Sequence, residues 1–297
     1  MTYRLKDFGS YTAGGRHVHV TQGEPQMVQF TRSAAYKMDP RGHFAIEHAY
    51  VQYFIPESRN SAPRVVLVHG GGMSGSCWET TPDGRAGWLH LLLDRGYEVH
   101  VIDNVERGRA GFAPGHWDGA PLLRSLQEAW LLFRIGATPG FETRTAFDGQ
   151  RFPVAHFNTF ARSFVPRWLG TTQLHTAALL AVLAKTGPAT VICHSQGGEV
   201  VFDAHHTDPD LFDNIIALEP SALPKDAAAL GDTPLVLAVG DFLDVEDHWI
   251  TRNQAWCDLA ETGQNVRLVG PETFGYGNSH MLMMDDNSKA VLDALLG

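Results

Sequence analysis

Residues 193–198 read Cys193-His194-Ser195-Gln196-Gly197-Gly198, and they stand where an apolar run meets a helix-like stretch. A serine at such a junction occupies a tight strand-to-helix turn that exposes its hydroxyl and aims the next helix N-terminus at it. The turn demands small residues two before and two after the serine. Gly197 meets the second demand, and Cys193 takes the place usually held by glycine at the first. The chemistry open to such a hydroxyl is nucleophilic attack; the plainer role for the same serine is helix capping. A second group, His69-Gly70-Gly71-Gly72, directly follows another apolar run. Glycines there let backbone N–H groups turn toward a developing oxyanion, although read alone the string is an ordinary Gly-rich turn. GxxxxGKS/T cannot be read over it, which disfavours a P-loop.

Both groups need a scaffold that brings them to one place. Arg64–His69, Tyr97–Asp103, Ala189–His194, Asn214–Glu219, Pro234–Gly240 and Asn265–Val269 are short, rich in β-branched residues and bounded by Gly, Pro or polar residues. Between them fall helix candidates, notably Thr172–Lys185, Glu199–His206, Trp249–Thr262 and Ser288–Leu295. This alternation predicts an α/β fold with a mostly parallel central sheet and helices on both faces. HVHVTQ near residue 17 and YVQYFIP near residue 50 read as leading strands that pair antiparallel at one edge.

The long exception is 107–170, which predicts a helical, aromatic-rich cap insertion between core segments 1–106 and 171–297. It carries eleven of the 30 Phe, Trp and Tyr residues and the helix-periodic run Pro121–Ile135. The expectation is a lid that lends apolar walls to a pocket; an extra helical layer burying its own aromatics fits the composition equally.

The 297 residues carry 23 Lys and Arg against 33 Asp and Glu, with no basic run to grip phosphates, so nucleic acid is not an expected partner. Cys77, Cys193 and Cys257 lack metal or redox spacing. His17 with His19, and Asp203, His205, His206 and Asp208, offer imidazoles and carboxylates without a third ligand at fixed spacing, so no metal is expected. Arg107 and Arg109 follow a strand, where a structural ion pair is a simpler role than substrate contact. The N-terminal MTYRLKDFGSY has no apolar signal core, and no stretch approaches the roughly 18 apolar residues of a membrane span. A cytoplasmic chain is the expectation, with a periplasmic or secreted one left open if a signal peptide has been removed.

In the order of its glycine loop, serine turn and late histidine, the chain resembles the α/β-hydrolase superfamily over residues 60–297. The resemblance implies a serine esterase in which Ser195 is the nucleophile and His280, in GYGNSHM, is its base. It implies an oxyanion hole of the Gln196 N–H and that of Gly71 or its neighbour Gly72. The triad acid has two candidates. Asp244 follows PLVLAVG with the usual family spacing, and Glu219 ends the preceding strand, IIALE. YVQYFIP, HGGGMSGSCWETTPDGRAGW, VERGRAGF, LEP and GNSHM resemble a subgroup of small bacterial esterases whose acid is a glutamate after strand six, which selects Glu219. Members of that subgroup can be exported and dimeric, so a homodimer stays open. The implied activity is hydrolysis of small to medium apolar esters without a cofactor. A lactonase or C–C bond hydrolase with the same triad, or a non-catalytic ligand-binding relative, are the other readings.

Overall fold

The computed structural model describes residues 3–113 and 115–297. Among the described residues ten strands run in chain order: β1 (Leu5–Val20), β2 (Gln26–Thr31), β3 (Ala34–Met38), β4 (Gly42–Pro56), β5 (Arg64–Val68), β6 (Val99–Asp103), β7 (Ala189–His194), β8 (Phe212–Leu218), β9 (Leu235–Ala238) and β10 (Val266–Val269). Eight of them form one sheet in the order β1-β4-β6-β5-β7-β8-β9-β10, while β2 and β3 pair as a separate hairpin. From β6 to β10 all neighbours are parallel; β4 runs antiparallel to both β1 and β6, which forms the expected antiparallel edge.

The helices are α1 (Trp88–Asp94), α2 (Leu126–Leu132), α3 (Phe157–Ala161), α4 (Thr172–Thr186), α5 (Gln196–Thr207), α6 (Asp247–Thr262), α7 (Pro271–Phe274) and α8 (Ser288–Leu296). Because side chains alternate along a strand, each central strand feeds two cores. Val66, Val68, Val191, Cys193, Ile215 and Ala217 pack with α4, α5 and α6 on one face. Val65, Leu67, Ile192, Ile216 and Leu218 pack on the other face with α1, α8 and the aromatics Trp130, Phe133, Phe157 and Phe160 of the insertion. These aromatics meet edge to face, Trp130 with Phe157 at 5.2 Å and Phe133 with Phe160 at 5.5 Å between centroids.

One expected element is shorter than its periodicity suggests. The helix predicted over Pro121–Ile135 occupies only Leu126–Leu132. Leu122 spends its backbone N–H and C=O on Arg167, at 2.8 and 3.0 Å, so it has none for a helix. Ser125 then caps α2 by accepting from the Glu128 N–H at 3.1 Å. At the other end, Arg134 has φ 53°, a conformation that stops a right-handed helix.

Register decides what emerges at the C-terminal rim. Val68 lies beside Cys193, His194 beside Leu218, and Leu218 beside Ala238. The residues that follow these strands therefore leave the sheet on one edge, where open α/β sheets place their ligand crevice.

Candidate active site

Ser195 links β7 to α5 at φ 50° and ψ −117°. This strained turn, of a kind that costs on the order of 1–3 kcal/mol, is pinned from both sides. The Ser195 N–H donates to Leu218 C=O at 3.0 Å, and its carbonyl accepts from Gly198 and Ser221 N–H, each at 2.9 Å. A Cβ on Gly197 would stand 2.8 Å from the His69 carbonyl oxygen, and one on Gly198 would collide with Pro220. Cys193, two residues before the serine, is fully buried.

The glycine loop after β5 presses against this turn. A Cβ on Gly70 would stand 2.6 Å from His194 Nδ1 and 3.2 Å from Ser195 Cβ. His69 anchors the loop: its Nε2 accepts from the Asn104 N–H at 3.1 Å, so Nδ1 carries the proton that goes to Gly70 C=O at 2.9 Å. Burial and the nearby Arg107 push the His69 pKa down to about 3, consistent with that neutral ring. Among the described residues, no hydrogen bond occupies the N–H of Gly71 or Gln196. Both residues line the cavity that holds Ser195 and His280, of about 390 Å³, whereas Gly72 lines only the neighbouring one.

Glu219 directly follows β8 with φ 42° and is fully buried. Its Oε1 accepts from the Gly240 N–H at 2.7 Å and from Arg134 Nη2; its Oε2 accepts from Arg134 Nη1 at 2.8 Å and from His280 Nδ1. Burial alone would raise this carboxyl's pKa, but Arg134 and His280 overturn that and hold it well below the usual range.

The His280 ring lies between Phe133, nearly parallel at 5.8 Å, Trp249 at 4.8 Å and His194 at 4.5 Å. Its backbone is fixed as well, with N–H to Phe133 C=O at 3.0 Å and C=O accepting from His194 Nε2 at 3.0 Å. The preceding loop is clamped by two carboxylates. Asp241 accepts from Gly277 and Asn278 N–H at 2.6 and 3.0 Å, and Asp285 accepts from the Ser279 N–H and hydroxyl at 2.8 and 2.7 Å. With Nδ1 on Glu219, Nε2 is the nitrogen left for the cavity.

The other sequence candidates lie elsewhere. Asp244 is exposed and lines a separate cavity with Asp241, Phe242 and Glu272, without a hydrogen bond to His280. Arg107 is fully buried against Glu106 and reaches Gln196 Oε1 at 3.3 Å, while Arg109 pairs with Asp103. His19 stacks on His43, and His205 bonds Thr233 Oγ1. Of the insertion's aromatics, Phe133 and Phe164 line the cavities by the serine, and most others fill the core.

Sequence reasoning missed Arg134. It closes an apolar stretch, LLFRIG, where an arginine reads as a solvent-facing helix end, yet its side chain is fully buried on Glu219 and stacks 4.4 Å over the Trp249 ring. The signal within the sequence was the mismatch itself: an unavoidable charge followed by glycine inside an apolar run. Arg167 and Arg252, which line the serine's cavity, carried no signal of their own.

No protein-family model matches the chain. The solved structure of a bacterial esterase aligns over 100% of this chain and 96% of its own, with a TM-score of 0.85 and 29% identity. A probable secreted lipase from Fungal sp. (strain ATCC 74256) is 29% identical over 202 residues, which cover 60% of this chain and 50% of that protein. The match thus spans half the length of the curated relative. Sheet order, crossover pattern and this whole-chain correspondence give one conclusion: the chain has the α/β-hydrolase fold.

Proposed function

We propose that the protein is a serine carboxylester hydrolase in which Ser195 is the nucleophile, His280 the general base and Glu219 the residue that orients it. The observation that carries this reading is the shared cavity of Ser195 and His280, with the His280 Nδ1 side tied to a buried carboxylate. Likeness to the bacterial esterase and the secreted lipase supports it. His280 Nε2 takes the Ser195 proton as Oγ attacks the ester carbonyl, and the Gly71 and Gln196 N–H groups receive the developing oxyanion. The imidazolium returns its proton to the leaving alcohol, and water repeats the cycle on the acyl-enzyme. Every step uses a group of this chain or water. Residues 107–170 act as the cap: Phe133 bonds and stacks on His280, and Val165 N–H holds Gly72 C=O at 2.9 Å. No helix among the described residues is long and apolar enough to cross a membrane.

A fluorophosphonate probe tests the reading. Intact protein gains one phosphonyl group at Ser195 by peptide mass spectrometry, and ester turnover falls in step with labelling. A folded protein that turns over no ester and takes no label at Ser195 would refute it.

The pH profile adds a second expectation. Burial lowers the His280 pKa, Glu219 raises it, and Arg134 and Arg252 lower it again, for a net shift below the ordinary 6.5. Catalysis needs the neutral ring, so kcat/KM is lost as pH falls through that depressed value. The acid limb of the profile therefore has its midpoint below pH 6.5. A midpoint above it would mean that the ion pair with Glu219 outweighs burial.

A further inference from the structure

The expected apolar walls account for only part of the space around Ser195. The neighbouring cavity, of about 180 Å³, is apolar through Leu122, Leu123, Phe164 and Leu169. The cavity that contains Ser195 is lined by three arginines, Arg124, Arg167 and Arg252, of which the first two also border the neighbouring cavity, in a chain whose formal net charge is −10. Arg124 is satisfied by an ion pair with Glu128. Arg252 donates to the Ser221 carbonyl and has no carboxylate partner among the described residues. Arg167 is half-buried, and among the described residues its guanidinium has neither a hydrogen bond nor an ion pair.

Arg167 is not loose. Its backbone is fixed by both hydrogen bonds to Leu122, and the next residue, Trp168, donates its N–H to Glu106 at 3.0 Å. Its Nη1 lies across the bare face of Gly71, where a Cβ would collide with it. The guanidinium thus stands beside the glycine loop, on the boundary shared by the two cavities. Burial and the proximity of Arg124 act against its charge, while Glu106 and Glu199 favour it without reaching ion-pair distance. A held, half-buried guanidinium without a protein acceptor keeps its donors available to a ligand that supplies acceptors.

We infer that the substrate is an anionic ester, with a carboxylate a few bonds from the scissile carbonyl that Arg167 receives, and an apolar arm in the neighbouring cavity. This deepens the esterase reading and rests on it. The charge balance favours a monoanion. Glu219 is answered by Arg134, and Glu199 offsets one of the two unpaired arginines, which leaves a single excess positive charge. The planar fork of arginine matches a carboxylate with two parallel hydrogen bonds.

The test compares 4-nitrophenyl hemisuccinate with neutral 4-nitrophenyl butyrate, esters of similar length. Wild type favours the hemisuccinate in kcat/KM by about 10-fold or more, and Arg167→Met brings that ratio down by about 10- to 100-fold, the range of a charge-assisted hydrogen bond. Arg167→Lys keeps the charge without the fork and gives an intermediate ratio, which holds the test open if the methionine variant does not fold. No preference in wild type, or an unchanged ratio in both variants, would overturn the inference. Calorimetric binding of succinate reads the same seat without turnover. Succinate binding that weakens in either variant, together with no phosphonate adduct at Ser195, would refute the esterase reading alone. An adduct and ester turnover without succinate binding would refute only the anion seat.

Discussion

Glu219→Gln lowers ester turnover by about 10³- to 10⁴-fold, while Asp244→Asn stays within about twofold of wild type. The asymmetry follows from what each carboxylate touches. Glu219 accepts a hydrogen bond from His280 Nδ1, which in the proposed mechanism leaves Nε2 as the base; an amide in its place can present N–H to Nδ1 and reverse the tautomer. It also loses the negative charge that, in the proposed mechanism, steadies the imidazolium when His280 takes the serine proton. Asp244 is exposed and serves another cavity, so its amide changes little. Glu219→Gln also leaves Arg134 as a buried charge without its counter-ion, so the rate is compared at a temperature where circular dichroism shows a folded variant. Glu219→Asp separates charge from length: it keeps the carboxylate but withdraws it by one methylene from an imidazole already in contact. Its rate falls between wild type and the glutamine variant. A large loss in Asp244→Asn with a small one in Glu219→Gln would transfer the role to Asp244.

Much of the scaffold was legible because its signals are local. Short apolar runs ending in Gly, Pro or a polar residue marked the parallel strands, and a serine between such a run and a helix marked its turn. β5, β7 and β8 are each buried on both faces and pair in a register that brings the glycine loop, Ser195 and Glu219 to one rim together. What the sequence hid depends on long-range pairing. The helical period of residues 121–135 did not reveal that Leu122 bonds Arg167, and this pairing both shortens α2 and fixes Arg167 beside Gly71. The aromatic content of the insertion was visible, but not that most of its rings fill the core while arginines face the serine. Composition counts side chains; it does not tell which way a segment without regular period turns them.

Arg134→Met is expected to destabilise the protein by about 3–5 kcal/mol and to reduce kcat/KM, with a shift of the pH profile that a purely structural role would not produce. The guanidinium is the principal counterweight to the burial of Glu219, and both are fully removed from solvent. Its loss leaves the carboxylate with the Gly240 N–H and His280 alone. With its pKa depressed in the fold, Glu219 contributes stability above its unfolded pKa, and that stability is lost as pH falls through the folded value. Without Arg134 the folded pKa rises, so acid unfolding begins at higher pH. Arg134 also lowers the His280 pKa, so its removal shifts the acid limb of kcat/KM upward as well. Arg134 is thus a positioning residue: its Nε holds Asp241 C=O at 2.6 Å, and Asp241 in turn holds the loop that carries His280. A double-mutant cycle tests the pairing. In a Glu219→Gln background Arg134→Met costs less than in wild type by about 1–3 kcal/mol, because the buried charge it answers is already gone. Additive losses together with an unmoved acid limb would mean that Arg134 only fills space between the insertion and the sheet.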